Sequence, residues 1–183
     1  MAAVMNTGPH SILTRRVETP LGEMILGVLG GRLCLLDHAG RKDRRRVEGR
    51  LRRLLGAEIA EAGDAFVPLL DEAQKQLEDY LAGRRERFDL PLLMAGTEFQ
   101  KRVWRALLDI PRGSTMTYGA LARAVGRAGA ARAVAAANAA NAMSVVIPCH
   151  RVVAANGLGG YAGVLAAKRL LLQLEGAWPP GAA

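Results

Sequence analysis

The residues of this chain that could do chemistry concentrate in one short stretch, "SVVIPCHRVV", from Ser144 to Val153. Cys149 lies there between a proline and His150, and it is one of only two cysteines in 183 residues. A free thiol has a pKa of about 8.5, so it needs a base or positive surroundings to become a good nucleophile at neutral pH. Cys149 is therefore a candidate nucleophile, and His150 and Arg151 are the candidate activating groups.

The residues before the thiol predict how it is presented. The β-branched run "VVI" predicts a short buried strand, and Pro148 marks the point where strand pairing stops. We therefore expect the chain to leave the core at Cys149. Neighbouring side chains do not face each other on a strand or a helix, so proton transfer from Cys149 to His150 requires a sharp backbone turn or a bridging water. On these residues alone a structural cysteine and a catalytic Cys-His pair both stay open.

Composition narrows the class of protein. Cys34 and Cys149 are too few for a disulfide framework, and the sequence contains no CxxC. The histidines, His10, His38 and His150, do not form a cluster with metal-ligand spacing, so no metal is expected. No segment has the length and hydropathy of a membrane span, and none reads as a signal peptide. We expect a soluble cytoplasmic protein.

The charge is distributed unevenly. Residues 1–90 hold 15 Lys and Arg against 14 Asp and Glu, whereas residues 91–183 hold 10 against 3. The net charge of +8 therefore belongs mainly to the half that carries Cys149. Such a surface suits a polyanion such as nucleic acid, although many arginine-rich and alanine-rich proteins are basic without binding DNA.

The first half of the chain predicts a small sheet with helices. "TPLGEMILGVLGGRLCLLDH" predicts two strands around a turn at Gly30 and Gly31, with Cys34 buried in the second strand. "RKDRRRVEGRLRRLL" and "VPLLDEAQKQLEDYLAG" place apolar residues at helical spacing and predict amphipathic helices. The basic face of the first helix is interpreted as solvated, with a nucleic-acid role as the alternative.

The second half predicts mainly helices. "RRERFDLPLLMAGT" is expected to join the two parts, and "EFQKRVWRALLDI" predicts a helix after it. "YGALARAVG" and "AARAVAAANAANA" predict two short helices separated by a glycine-containing turn. Such a pair indicates a helix-turn-helix, although many helical hairpins bind nothing. A glycine-rich loop, "NGLGGYAG", and a helix, "AAKRLLLQLEG", follow.

Taken together, these blocks resemble the O6-alkylguanine-DNA alkyltransferase family, the methylated-DNA–protein-cysteine methyltransferases. "IPCHRVV" is similar to the family's active-site signature, and "GTEFQKRVWRALLDIPRGSTMTYGALA", "AARAV", "NGLGGYAG" and "LLLQLEG" resemble further blocks in the family's order. The resemblance is strong from Gly96 to Gly176 and looser before it. It implies an α+β fold: a small N-terminal α/β domain of the ribonuclease H-like type in residues 1–90, and a mainly helical C-terminal domain with a helix-turn-helix in residues 91–183.

The resemblance implies DNA repair by direct damage reversal. An alkyl group would move irreversibly from guanine O6, or from thymine O4, in double-stranded DNA to Cys149. His150 would act as the base through a water, and Glu175 would orient and charge the imidazole. Asn141 would brace the loop that carries the thiol. A monomer without a cofactor, consumed once per lesion, is expected.

The resemblance also implies how DNA would be held. Tyr118 would press on the phosphate beside the lesion, and Arg132 would fill the space that an extruded nucleotide leaves. The carbonyl of Cys149 would contact guanine. The rest of the guanine pocket would be formed by Val152, Tyr161, Ala162 and Gly163. Without the resemblance, Arg132 would be interpreted as a solvated helix charge, Tyr118 as a half-buried helix residue, and Glu175 as surface.

Three positions depart from the family pattern. Ala135 and Val164 stand where glycine is usual, and Ala142 stands where proline is usual. These departures bear on substrate range and affinity rather than on the reaction. Two rival functions also stay open. One is an alkyltransferase-like protein that flags damaged bases, which the retained Cys149 disfavours. The other is a cysteine hydrolase, which would show multiple turnovers on an ester or amide.

Overall fold

The structure of the protein is a computed structural model that describes residues 11–161 and 165–178. The fold is mixed α and β, with a four-stranded sheet, a two-stranded sheet and six α-helices in these residues. The strands are β1 (Ser11–Val17), β2 (Met24–Leu29), β3 (Arg32–His38), β4 (Glu58–Glu61), β5 (Met116–Thr117) and β6 (Val152–Val153). The helices are α1 (Arg44–Leu55), α2 (Pro68–Leu81), α3 (Glu98–Leu108), α4 (Tyr118–Ala124), α5 (Ala131–Ala139) and α6 (Leu165–Leu174). None of the helices described is both long and apolar enough to cross a membrane.

The larger sheet has the strand order β3-β2-β1-β4. Strands β1, β2 and β3 are antiparallel neighbours, and β4 pairs parallel to β1. The predicted hairpin between β2 and β3 is confirmed, because Gly30 and Gly31 form the turn with φ values of 53° and 70°. Those positive values favour glycine. Strands β1 and β4 were not predicted from the sequence; β1 pairs with β2 of the hairpin, and β4 pairs with the other edge of β1.

The helices begin and end at the signals in the sequence. Pro68 occupies the first turn of α2, where its missing N–H costs nothing. The Thr97 side chain accepts a hydrogen bond from the Gln100 backbone, and Gln100 returns one to Thr97, so α3 starts with a capping box. Helix α1 ends at Gly56 in the left-handed conformation. These local signals explain why the predicted helices are confirmed.

The core joins the two halves of the chain. One buried apolar cluster contains Leu26 and Leu36 from the sheet, Leu77 from α2, and Val103 and Leu107 from α3. At the edge of the sheet, Leu33 N–H donates to the Pro91 carbonyl at 2.8 Å and Leu93 N–H donates to the Leu33 carbonyl at 2.8 Å. The predicted division into residues 1–90 and 91–183 stays a prediction. Residues from both parts pack in one apolar cluster.

The prediction of a strand at "VVI" is wrong. Residues 145–147 lie in a buried, non-repetitive loop, in which Val146 N–H donates to the Ser144 carbonyl and Ile147 N–H to the Met143 carbonyl, at 2.9 and 2.8 Å. These bonds are local turns rather than a ladder. The Val146 and Ile147 N–H groups are used in these turns and not in strand pairing, and the segment is buried by the surrounding core.

Candidate active site and nucleic-acid interface

The thiol lies on a single turn of 3₁₀-helix formed by Cys149–Arg151. The prediction that the chain leaves the core at this point is wrong, because Cys149 is only 2% exposed and belongs to the main apolar cluster. The turn follows Pro148 and directs consecutive side chains apart. The backbone turns sharply here, but His150 Nδ1 has no hydrogen-bond partner among the described residues, so the turn does not by itself join the thiol to the imidazole.

Burial raises the pKa of the Cys149 thiol, and a hydrogen bond with Asn141 opposes that shift only in part. The thiol is therefore protonated at neutral pH. A protonated thiol is a poor nucleophile, so the site requires a group that accepts its proton at the moment of reaction.

His150 is hydrogen-bonded to Glu175, the residue that the family resemblance implies as its partner. The imidazole Nε2 lies 2.6 Å from Glu175 Oε1, and both side chains are buried. Glu175 follows the last residue of α6, and its carboxylate also accepts from the Tyr80 hydroxyl and, at 2.8 Å, from Arg151 Nε. Burial alone would raise the pKa of Glu175, but the hydrogen bonds from His150, Arg151 and Tyr80 outweigh it and lower the pKa to about 2.

The electrostatics of this network fix the state of the imidazole. Burial lowers the pKa of His150 below its ordinary value, and the opposing effect of Glu175 is smaller. The ring is therefore neutral at pH 7, while Glu175 is an anion that can only accept hydrogen bonds. The single ring proton consequently lies on Nε2. That leaves Nδ1 as an acceptor, and Nδ1 is buried without a hydrogen-bond partner among the described residues.

Arg151 has a different role from the one that the sequence suggested. Its Nη1 donates to the Ile110 carbonyl at 2.6 Å, and its remaining donors bind Glu175 and the Tyr80 hydroxyl. These contacts neutralise the carboxylate and tie the 3₁₀-turn to the end of α3. Arg151 therefore stabilises Glu175, the hydrogen-bond partner of His150, rather than a Cys149 thiolate.

Asn141 braces the thiol loop, as predicted. Its side-chain Nδ2 donates to the Ile147 carbonyl at 2.9 Å, and its Oδ1 accepts from Met143 N–H at 2.9 Å. One amide thus closes the loop from both ends. The departure at Ala142 does not leave this segment free, because Ala142 is buried and its carbonyl accepts from Leu36 N–H at 2.8 Å.

The two backbone carbonyls expected to face guanine have protein donors in the structure. Asn138 Nδ2 donates to the Cys149 carbonyl at 3.3 Å. Lys168 Nζ donates to the Val152 carbonyl at 2.6 Å and to the Gly160 carbonyl at 3.1 Å. Lys168 is fully buried, and burial lowers its pKa to about 8. A carbonyl has two lone pairs, so each can still accept a bond from a base.

The glycine-rich loop passes beside the thiol turn. Tyr161 lies edge-on to His38, with ring centroids 5.8 Å apart, and its hydroxyl is buried without a hydrogen-bond partner among the described residues. Gly159 adopts φ of +69°, and a Cβ there would lie 2.9 Å from the Ala154 backbone nitrogen. That close approach requires glycine. Ala162, Gly163 and Val164 lie outside the described residues.

Helix α4 contacts this loop, and helix α5 packs against α4. Tyr118 begins α4, and its hydroxyl donates to the Gly160 carbonyl at 3.4 Å. The two residues before it form β5, which pairs in parallel with β6 directly after the 3₁₀-turn. The start of α4 is therefore attached to the segment that carries Cys149 and His150.

The exposed face of α5 is small and basic. Ala133, Ala136 and Ala139 are exposed, and Val134 and Ala137 face the core. Arg132 is exposed in the first turn, and its side chain makes no hydrogen bond or ion pair with another described residue. Arg123 and Arg127 nearby are exposed as well. Arg132 lies at the start of the same helix whose other end leads into the thiol loop at Asn141.

Sequence reasoning missed Tyr80, Asn138 and Lys168. Lys168 had a usable signal, since it lies three and four residues before the buried Leu171 and Leu172 on one face of α6. Tyr80 was expected only as a core residue of α2, and nothing local indicates its contact with Glu175. No group of three or more potential metal ligands occurs among the described residues, and the expected independence from metals stays a prediction.

The assembled site contains a thiol, a neutral imidazole with a free acceptor nitrogen, and an ionised carboxylate, beside a basic helical surface. These are the parts of a protein that uses a cysteine nucleophile next to a surface for a polyanion. The family model for the DNA-binding domain of 6-O-methylguanine DNA methyltransferase matches residues 98–177.

Sequence relatives agree with that match. The methylated-DNA–protein-cysteine methyltransferase of Methanosarcina acetivorans is 52% identical over 106 residues, which is 57% of this chain and 68% of that protein. The protein of the same name from Methanosarcina barkeri is 40% identical over 160 residues, or 87% of this chain and 94% of that protein. A crystal structure of Mycobacterium tuberculosis OGT in complex with DNA superposes with a TM-score of 0.74 at 36% identity, over 91% of this chain and 94% of that one. The chain belongs to the methylated-DNA–protein-cysteine methyltransferase family.

Proposed function

We propose that this protein repairs DNA by direct reversal, moving the alkyl group of O6-alkylguanine to its own Cys149. The observation that carries the proposal is the state of His150. Its Nε2 is bound to ionised Glu175, which leaves Nδ1 as a buried proton acceptor on the residue that follows Cys149, whose thiol is itself protonated.

The reaction needs only groups of this chain and the lesion. Cys149 loses its thiol proton to His150 Nδ1 through a water, and Sγ forms a bond to the alkyl carbon. The bond between that carbon and guanine O6 breaks, and its electron pair stays on O6. The nucleobase then takes up from His150 the proton that the thiol lost, which gives ordinary guanine. Ionised Glu175 stabilises the imidazolium that exists between the two proton transfers.

The product explains why no turnover is expected. Methyl transfer to sulfur gives a thioether, which has no electrophilic carbonyl through which water could release the group. The protein is therefore consumed once per lesion. A cysteine hydrolase, by contrast, forms an acyl-cysteine that water can release.

We assign DNA binding to α4, the turn after it and α5, acting as a helix-turn-helix. The exposed alanines of α5 allow close approach to a groove, and the surrounding arginines bind phosphates. A stacked base cannot reach a buried thiol, so the nucleotide has to be extruded. Arg132, exposed and unpaired in the described structure, would fill the vacated space, while Tyr118 would contact the phosphate beside it.

The extruded guanine would be held by the turn and the loop around Cys149. The carbonyls of Cys149 and Val152, which accept from Asn138 and Lys168, would each offer a second lone pair to the base, and Tyr161 would contribute its buried hydroxyl. We also propose that Ala162 and Gly163 complete the pocket. A ribonuclease H-like arrangement of the N-terminal sheet, the domain boundary at residue 90, a monomeric state, a cytoplasmic location and independence from cofactors belong to the same proposal.

The proposal is tested by stoichiometry. Increasing amounts of duplex DNA with one O6-methylguanine are mixed with a fixed amount of protein, and restored guanine is counted by nucleoside analysis. We expect the yield to stop at one guanine per protein molecule. Many guanines per molecule would indicate a turning-over enzyme, and bound but unrepaired lesions would indicate a protein that only flags damage.

A further inference from the structure

Side chains from the N-terminal half reach the end of α5 and the loop that carries the thiol. Arg41 lies in the connection between β3 and α1 and is almost completely buried. Its Nη1 donates to the Asn141 carbonyl at 2.7 Å, and its Nη2 donates to the Ala139 carbonyl. Arg50 Nη2 donates to the carbonyl between them, that of Ala140, at 2.5 Å. Two guanidinium groups therefore cap the C-terminal end of α5.

This cap is favourable for two reasons. The last carbonyls of a helix have no partners within it, and the end of the helix carries partial negative charge. No side chain of α5 itself supplies a cation in its last turn. The charge of Arg41 is compensated in turn by Asp37, whose Oδ2 lies 2.6 Å from Nη1, and by Asp43 at 2.5 Å from Nε.

Asp37 makes a second connection to the thiol loop. It lies near the end of β3, and its Oδ1 accepts from the Ser144 hydroxyl at 2.8 Å and from His38 N–H at 3.0 Å. One residue earlier, Leu36 N–H donates to the Ala142 carbonyl at 2.8 Å. Residues 139, 141, 142 and 144 are thus all bonded to the segment 36–41 of the N-terminal half.

The segment held in this way leads directly into the turn that carries the thiol. Asn141 is the residue that closes the loop through Met143 N–H and the Ile147 carbonyl. Val145, directly after Ser144, adopts φ of 72°, a left-handed conformation that is unfavourable for a β-branched residue. Such a conformation persists only where the surrounding contacts determine it. The bonds from Asp37 and Arg41 lie on one side of Val145, and those of Asn141 span it.

We propose that Asp37 and Arg41 are positioning residues for the reacting thiol, acting through Asn141 and Ser144 rather than through contact with DNA. The reaction itself rests on the proposed function above. The placement of Cys149 by these two residues does not, because it concerns the loop alone. The N-terminal half would thereby take part in the chemistry without touching the substrate.

The first test uses the two cysteines as internal reporters. Both are buried, so iodoacetamide should label neither quickly in the native protein. In Arg41→Ala we expect the labelling rate of Cys149 to rise about tenfold while that of Cys34 stays unchanged, because the loop opens but the sheet does not. Parallel increases at both thiols would show general destabilisation and overturn the proposal, as would unchanged labelling of Cys149.

The matched control is Arg16→Ala, and Ser144→Ala is a milder second variant. Arg16 is also an arginine of the N-terminal half in an ion pair with Glu23, but that pair is exposed, and its loss should change neither thiol. Ser144→Ala removes a single hydrogen bond and keeps the fold, so it should give a smaller increase at Cys149 if Arg41→Ala does not fold. No increase at Cys149 in Ser144→Ala would overturn the role of Asp37.

The second test is a double-mutant cycle on the transfer rate with duplex DNA at saturation. Arg41→Ala should slow transfer about tenfold, and Arg41→Lys should restore part of the rate. In an Asn141→Ala background, Arg41→Ala should slow transfer less than about twofold further, because the two residues act on one loop. Fully multiplicative effects would contradict the proposal. If the unmodified protein transfers no methyl group, the proposed function fails and the labelling test still decides the placement.

Discussion

The two cysteines of this protein offer a comparison within one molecule. Cys34 on β3 and Cys149 on the 3₁₀-turn are 1% and 2% exposed, and burial raises the pKa of both thiols. For Cys34 the value reaches about 12. Exposure and thiol acidity therefore do not distinguish the cysteine that reacts from the one that does not.

The surroundings of the two thiols do distinguish them. Cys34 donates to the Gly27 carbonyl at 3.5 Å and packs in an apolar cluster with Ile12, Leu35 and Leu51. Cys149 lies within a polar arrangement that includes a neutral histidine, an ionised glutamate and the brace at Asn141. In the proposed mechanism Cys149 becomes a nucleophile because His150, the next residue, accepts its proton, and not because the thiol is accessible in the free protein.

The largest expected effect is at Cys149 itself. Cys149→Ala should reduce methyl transfer by roughly a thousandfold or more, to background, because no other group in the site forms the sulfur–carbon bond. DNA affinity should change less than about twofold, since a buried thiol contributes no charge to phosphate binding. Single-turnover repair and a binding titration at one salt concentration measure the two quantities. Transfer that persists in this variant, with the group on Cys34, would reverse the assignment of the two thiols.

The next largest effect separates the proton acceptor from the thiol. His150→Ala and Glu175→Gln should each slow transfer by about a hundredfold, on duplex DNA and on the free base alike, because both substrates need the thiol proton to be removed. Exposed Glu23→Gln is the matched control for a lost carboxylate and should leave the rate unchanged. Thermal unfolding has to accompany the kinetics, since Glu175→Gln leaves Arg151 without its buried partner. A variant with the original rate would show that the network is only structural.

Arg132→Ala should have an intermediate effect on duplex DNA only. Filling the gap of an extruded base offsets part of an unstacking cost of a few kcal/mol, so losing about 1.4 kcal/mol of it slows repair by about tenfold. The free base needs no extrusion and should react at the original rate. Arg127→Ala, another exposed arginine next to the same helix, is the control for the loss of one phosphate-binding charge, and lower salt should compensate for it. Equal slowing of both substrates would make Arg132 a structural residue.

The transfer rate should depend only weakly on pH near neutrality. The acceptor form of His150 is the neutral one, and its pKa lies below the ordinary value of 6.5, so the rate should be lost only as pH falls below 6.5. The pKa of Cys149 is raised, so the fraction of free thiolate grows about tenfold per pH unit in this range. We expect the single-turnover rate to change less than about twofold between pH 6.5 and 7.5. A tenfold rise over that interval would show that bulk thiolate reacts and that His150 does not accept the proton.

His150 also makes the stability of the fold depend on pH, in the same direction as the transfer rate. A histidine that is neutral in the fold but titrates at its ordinary pKa when unfolded stabilises the fold above that pKa, and the contribution is lost as pH falls through 6.5 and below. Glu175, with a pKa of about 2, adds a contribution that is complete above its ordinary pKa of 4.5 and is lost as pH falls from there to 2. Activity and stability should therefore both decline on the acid side.

The sequence was sufficient for the elements that carry local signals. The hairpin with Gly30 and Gly31 and the capped helices were predicted from turn residues and caps. The resemblance to a family singled out His150, Glu175 and Asn141, whose contacts the structure describes and whose roles stay predictions. The loop before Cys149 was not, because its three apolar residues fit a strand as well as a buried turn. Hydrogen bonds between distant residues, such as those of Tyr80 with Glu175 and of Arg41 with the end of α5, leave no periodic trace along the chain.

The smallest expected effect is at the other thiol. Cys34→Ala should leave the transfer rate within about twofold of the original, because Cys34 lies in a separate apolar cluster and makes one weak hydrogen bond within the sheet. A modest loss of thermal stability is expected from the smaller side chain. A rate loss comparable to that of His150→Ala would mean that the two regions of the molecule are coupled.

The comparison of the two cysteines is tested most directly by mass spectrometry of the reacted protein. The protein is mixed with duplex DNA containing O6-methylguanine, its intact mass is measured, and the peptides with Cys34 and Cys149 are then separated. The account predicts a gain of a single methyl group per molecule, found entirely on the Cys149 peptide. A methyl group on Cys34, or an unchanged protein mass after guanine has been restored, would contradict it.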